Sequence, residues 1–101
     1  MDTRFWNGLI LGRMYEEEVA QFLESQGFNV WRIGNFRLPV DLFVWKDEYC
    51  FCVEVKYRSI PNPIHISYDI LEKFIGETPV PVFLVAIYPG YSLVQRYEKR
   101  P

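Results

Sequence analysis

One histidine and two cysteines are all the nitrogen and sulfur metal donors of this kind in a chain of 101 residues. A structural zinc site takes four Cys or His ligands, so zinc is not expected. Cys50 and Cys52 stand two apart on what reads as one strand, where side chains at i and i+2 share a face. A disulfide between them would be strained. Reduced thiols are the expectation, and with them a cytoplasmic setting. An excess of positive charge is missing too: 11 Lys and Arg stand against 13 Asp and Glu, a formal net charge of −2. That weighs against a partner held mainly by a basic surface, unless several of the carboxylates gather around a divalent cation. No apolar run is long enough for a membrane span, and the opening MDTRFWNGLILGR lacks the plan of a signal peptide. With no repeat and no low-complexity linker, a single domain over residues 1–101 is expected.

What the chain does have is material for a core: half of it is apolar and 18% is aromatic, which sets it apart from disordered sequences. Gly12 to Gln26 reads as a helix with Gly27 at its C-cap. FNVWR (28–32), VDLFVW (40–45) and YCFCVEVKY (49–57) read as strands, the last two joined by the polar turn Lys46-Asp47-Glu48. IPNPIHIS is a loop, since Pro61 and Pro63 forbid a helix there. Its His65 reads as structural. Ser67 caps a second helix running to about Phe74, with Gly76 closing it. PVFLVAI (81–87) is a buried strand, and the Pro89-Gly90 turn leads into SLVQRYEK. The order α-β-β-β-α-β-β predicts an α/β domain, a mixed five-stranded sheet with helices against it.

The third strand carries its own charges. In CVEVKYR, Glu54, Lys56 and Arg58 share one side, and Val53, Val55 and Tyr57 the other. With Asp47 and Glu48 at the centre of the hairpin turn, Trp45 pairs with Cys50 and Asp41 falls opposite Glu54. Like charges directly opposite on a sheet repel, so a cation between them is the natural explanation. The first helix offers a third acid. At about 100° per residue, Leu11, Tyr15, Val19, Phe22 and Leu23 gather on one side and Glu17, Gln21 and Glu24 on the other. Glu16 falls at the edge of the apolar side. Hard oxygen donors with little histidine suit Mg²⁺ or Mn²⁺, and a metal so held polarises a phosphodiester and acidifies water. Lys56 would then orient the nucleophile or offset charge on the phosphate.

These residues, spaced as Asp41-x12-Glu54-x-Lys56, resemble the PD-(D/E)xK nuclease superfamily, and within it the archaeal-type Holliday junction resolvases. Gly12-x-x-x-Glu16 with Leu23 and Gly27-Phe28 resembles the family's first helix and its acid. Pro39-Val40-Asp41 matches the motif aspartate, and Glu54-Val55-Lys56 the E-x-K. The resemblance implies a restriction-endonuclease-like core and a Mg²⁺-dependent endodeoxyribonuclease, commonly a homodimer, acting on branched or distorted DNA. It places Asp41, Glu54 and the Val55 backbone carbonyl on the metal, with Glu16 as a further ligand. It also matches Arg32 to a basic position. Arg37 and Arg58, and more weakly Arg13, are further candidates for phosphate contacts. No small-molecule cofactor and no membrane partner are expected.

Plainer readings stand beside these. Glu54 and Lys56 also fit a surface pair, Asp41 a turn cap, and Glu16 a solvated glutamate like Glu17 and Glu18. Trp31, Trp45, Tyr57, Tyr68 and Tyr91 suit stacking on unpaired bases, but equally a core or a dimer contact. The acidic balance favours an alternative nuclease, one acting on single strands or ends. A non-catalytic binding module is the third reading.

Overall fold

Apolar stretches separated by turn residues become strands, and the computed structural model, which describes Trp6 and residues 16–33, 38–57 and 68–97, has five of them. In chain order the elements are α1 (Glu16–Ser25), β1 (Asn29–Arg32), β2 (Leu42–Lys46), β3 (Tyr49–Tyr57), α2 (Tyr68–Glu77), β4 (Val82–Tyr88) and β5 (Tyr91–Tyr97). All five strands form one sheet in the order β1-β2-β3-β4-β5. Only β3 and β4 run parallel; the other neighbours are antiparallel. A parallel pair needs a long crossover, and α2 lies within it. The expected α/β class and mixed sheet are both present.

Local chemistry explains the corners. Gly27 adopts φ 90°, and the bonds Gly27 N–H to Glu24 carbonyl (2.9 Å) and Phe28 N–H to Leu23 carbonyl (3.1 Å) form a Schellman cap. Leu23 and Phe28, the pair that such a cap brings together, both join the core. Lys46 seals this end from β2: its Nζ donates to the Gln26 carbonyl at 3.1 Å and lies 5.3 Å from the Phe28 ring centroid. The β2–β3 turn puts Asp47 at φ 53°, a left-handed conformation that a two-residue hairpin requires and Asp tolerates. At the β4–β5 turn Pro89 precedes Gly90, whose φ of 86° fits the second central position of a type II turn. Tyr88 and Tyr91 stack across it, centroids 4.9 Å apart.

Alternation along the strands divides the core between two faces. On one, Val19, Ala20 and Leu23 of α1 pack on Leu42, Val44, Phe51, Val53, Phe83, Val85 and Ile87. Trp6 completes this face, its ring meeting Phe51 and Phe83 at 5.9 and 5.7 Å. On the other, Phe74 and Ile75 of α2 pack against Ile33, Val40, Cys52 and Val82. The inner strand β4 is buried along its whole length, as a strand covered on both faces must be.

Several boundaries differ from expectation. Gly76 does not close α2: the helix runs through it to Glu77, and the Thr78 N–H still bonds the Phe74 carbonyl at 3.1 Å. The β2 strand begins at Leu42 rather than Val40, because the Asp41 N–H and carbonyl already bond Val53 and Ile33 outside the regular ladder. Leu11, Gly12, Arg13, Tyr15, Arg37, Arg58, His65, Ser67 and the Pro61–Pro63 loop lie outside the described residues. No described helix is long and apolar enough to cross a membrane.

Candidate functional site

The hairpin register is the one the turn implies. Trp45 pairs with Cys50 and the ladder runs to Leu42 opposite Val53. One residue further, Asp41 straddles Glu54. Its backbone N–H donates to the Val53 carbonyl at 2.8 Å, and its Oδ2 accepts the Val55 N–H at 2.7 Å. The Asp41 carbonyl accepts the Ile33 N–H at 2.9 Å. Three strands are thus tied at one aspartate, and its side chain takes the β3 amide that β2 is too short to reach. This bond had no signal in the sequence, because it depends on where β2 ends.

Glu54 is 7% exposed, a depth at which a carboxylate is rare unless partnered. Two groups meet it. Lys56 Nζ lies 3.2 Å from its Oε1, as expected of neighbours on one strand face. Asp41 meets it as a like charge. Burial first, and then the Asp41 carboxylate, push Glu54 up to about 7, against the lowering pull of Lys56. Glu16 arrives from the first turn of α1. Its carboxyl is also raised, by burial and then by Asp41 and Glu17, and a hydrogen bond with Asp41 contributes. Asp41, Glu54, Lys56 and Glu16 are therefore one interacting group. Glu16 is half-buried while Glu17, Glu18, Gln21 and Glu24 are exposed, which matches the helix phase read from the sequence.

The acids interact without forming a closed cage: among the described residues no three His, Cys, Asp or Glu side chains are set to hold an ion together. Mg²⁺ does not require one, since it keeps several waters and binds through one or two carboxylates and a substrate phosphate. Asp41 and Glu54 make such a pair. Burial and then the neighbouring Asp41 disfavour the charged form of Glu54, and a divalent cation there would offset that penalty. By donor chemistry the group fits Mg²⁺ or Mn²⁺.

Arg32 ends β1, and its guanidinium is committed within the molecule. Nε and Nη2 form a two-point contact with Glu17 at 2.7 and 2.8 Å, and Nη2 also meets Glu24 at 2.7 Å. Those bonds raise Arg32 above its ordinary range and hold Glu17 below its own. The acidic helix stripe is legible in the sequence, but its donor is not, because Arg32 meets Glu17 and Glu24 only in the folded chain. Cys50 and Cys52 are free thiols, and burial, followed by Cys50, raises Cys52 to about 11. No known family, characterised protein or solved structure matches this chain.

Proposed function

We propose that this protein is a metal-dependent endodeoxyribonuclease with a restriction-endonuclease-like core, hydrolysing phosphodiester bonds in branched or distorted DNA as a homodimer. The observation that carries the reading is the grouping of Asp41 with the Glu54–Lys56 pair of β3 on one side and with Glu16 of α1 on the other. When bound, Mg²⁺ or Mn²⁺ supplies Lewis acidity toward a phosphodiester oxygen and lowers the pKa of water. Asp41 and Glu54, with the Val55 carbonyl, hold the ion. Glu54 must lose its proton to do so, so metal affinity rises with pH through about 7. Glu16 accepts a proton or hydrogen bond from the attacking water. The Lys56 ammonium, kept near the scissile group by Glu54, offsets charge that builds on the phosphate.

A second reading, cleavage of single strands or ends, draws support from the commitment of Arg32 to Glu17 and Glu24 and from the net charge of −2. Both leave less free positive charge for a duplex backbone. The test is incubation of labelled four-way junction, linear duplex and single strand with Mg²⁺ or Mn²⁺, beside Lys56→Ala and Glu54→Gln. Junction-selective cleavage lost in both variants supports the first reading, and cleavage of single strands or ends supports the second. Absence of metal-dependent cleavage in a folded sample defeats both and leaves a binding module.

A further inference from the structure

Three aromatic rings lie on the side of the sheet that carries the acids. Alternation sets Phe43 and Trp45 on one side of β2, away from buried Leu42 and Val44; they pair with Cys52 and Cys50, which share a face of β3 with Glu54. Phe43 pairs with Trp31 across the β1–β2 ladder. It also stacks on Trp45, centroids 5.8 Å apart and planes inclined by 30°. At about 3.3 Å per residue, the two rings of β2 follow Asp41 at about 7 and 13 Å along the strand. Trp31 is 45% and Trp45 40% exposed, an unfavourable placement for such large apolar surfaces.

Resting on the nuclease reading above, we propose that Trp31, Phe43 and Trp45 form a stacking track for the unpaired bases of a single-stranded segment, whose adjoining phosphodiester lies at Asp41 and Glu54. Phe43 sits opposite Cys52, two residues from Glu54 on the same face of β3, so the track is continuous with the acid group. Unpaired bases present π-faces to aromatic side chains, whereas duplex bases cover theirs with one another. The charge pattern agrees. Arg32, on β1 beside Trp31, is held by Glu17 and Glu24, so attraction must come from the bases more than from the backbone. A second copy of the chain fits this face poorly. The exposed parts of the two Trp side chains amount to roughly 200 Å², well below the about 800 Å² per partner of a stable interface. A symmetric contact there would also bring two carboxylate-rich groups together, each with Lys56 as the cation paired to its Glu54.

Binding of labelled oligothymidylate and of a matched duplex, measured by anisotropy in EDTA, separates binding from cleavage. The wild type is expected to favour oligothymidylate, with a shallow salt dependence. Trp31→Ala and Trp45→Ala should each weaken it about 5- to 150-fold, and Trp45→Phe less. If Trp45→Ala fails to fold, Trp45→Phe and Trp31→Ala carry the comparison. Oligothymidylate affinity unchanged in these variants overturns the track; metal-dependent cleavage by the wild type would then leave the nuclease reading standing. Stacking-dependent binding with no metal-dependent cleavage supports the track and overturns the nuclease reading instead. A dimer in sedimentation that Trp45→Ala converts to monomer assigns the face to a second copy and overturns the proposal.

Discussion

Two groups of charges flank the start of α1, and the helix divides its glutamates between them. Glu17 turns outward and, with Glu24, grips Arg32. Glu16, one residue earlier, turns toward Asp41. The first group is exposed and carries a cation at its centre, and its chemistry is to lower an acid. The second is partly buried and rich in carboxylates, and its chemistry is to raise two acids. A rotation of about 100° per residue separates a surface ion pair from a strained acid group. Charge alone therefore marks neither structure nor function; what decides is whether the opposite charge is supplied by the chain.

The comparison breaks most visibly in activity. Glu54→Gln, Asp41→Asn and Lys56→Ala should each reduce metal-dependent cleavage by about 10²-fold or more. Glu17→Gln and Glu24→Gln should leave it within a few-fold. Comparable losses in both sets, read from single-turnover rates, would mean that the two groups are not functionally distinct. Asp41→Asn also disturbs the bond to the Val55 N–H, so its melting temperature must be followed in parallel.

Stability comes next. Glu54 titrates near 7 in the folded chain against 4.5 for the ordinary carboxyl. Between these values the folded state holds a proton that the unfolded state has released. The metal-free protein therefore loses stability as pH rises from about 4.5 to about 7, by an amount on the order of 3 kcal/mol. Glu16, shifted in the same direction, adds to the trend. Glu54→Gln should flatten that dependence and make the protein more stable than wild type at pH 8, while abolishing cleavage. Urea unfolding at pH 4.5 and pH 8 checks this, and a variant less stable than wild type at pH 8 would contradict it.

Metal should relieve the same repulsion. At tenfold its dissociation constant, Mg²⁺ or Mn²⁺ would raise stability by about 1.4 kcal/mol, more at pH 8 than at pH 5. Thermal melts that are indifferent to metal in wild type, or equally responsive in Glu54→Gln, would remove the cation from the account. The smallest effect belongs to the clamp. Glu17→Gln should barely move the melting temperature, and any shift should fade in high salt.

Much of this architecture was readable from residue order. The β3 strand appears at its predicted bounds, and the Asp47-Glu48 turn sets a register that can be counted from Trp45 and Cys50. Gly27 caps α1 as its left-handed φ requires. Gly76 misled because a glycine near a helix end stops the helix only when the next residues offer no further bonds, and Thr78 still found the Phe74 carbonyl. Trp6 could not be placed in advance, since no periodic pattern surrounds it; its slot is made by Phe51 and Phe83 from separate strands.

By itself the sequence determined which residues share a strand face or a helix side, because those follow from periods of 2 and 3.6 along one chain. It thereby specified Glu54 with Lys56, and Glu16 apart from Glu17. Only the tertiary structure decided that Asp41 leaves the ladder to hold Val55, that Arg32 spends its charge on Glu17 and Glu24, and that Glu54 is buried deeply enough to titrate near 7. These depend on distances between elements and on the exclusion of water. Neither is encoded in any local spacing; both arise only when the sheet and its helices close.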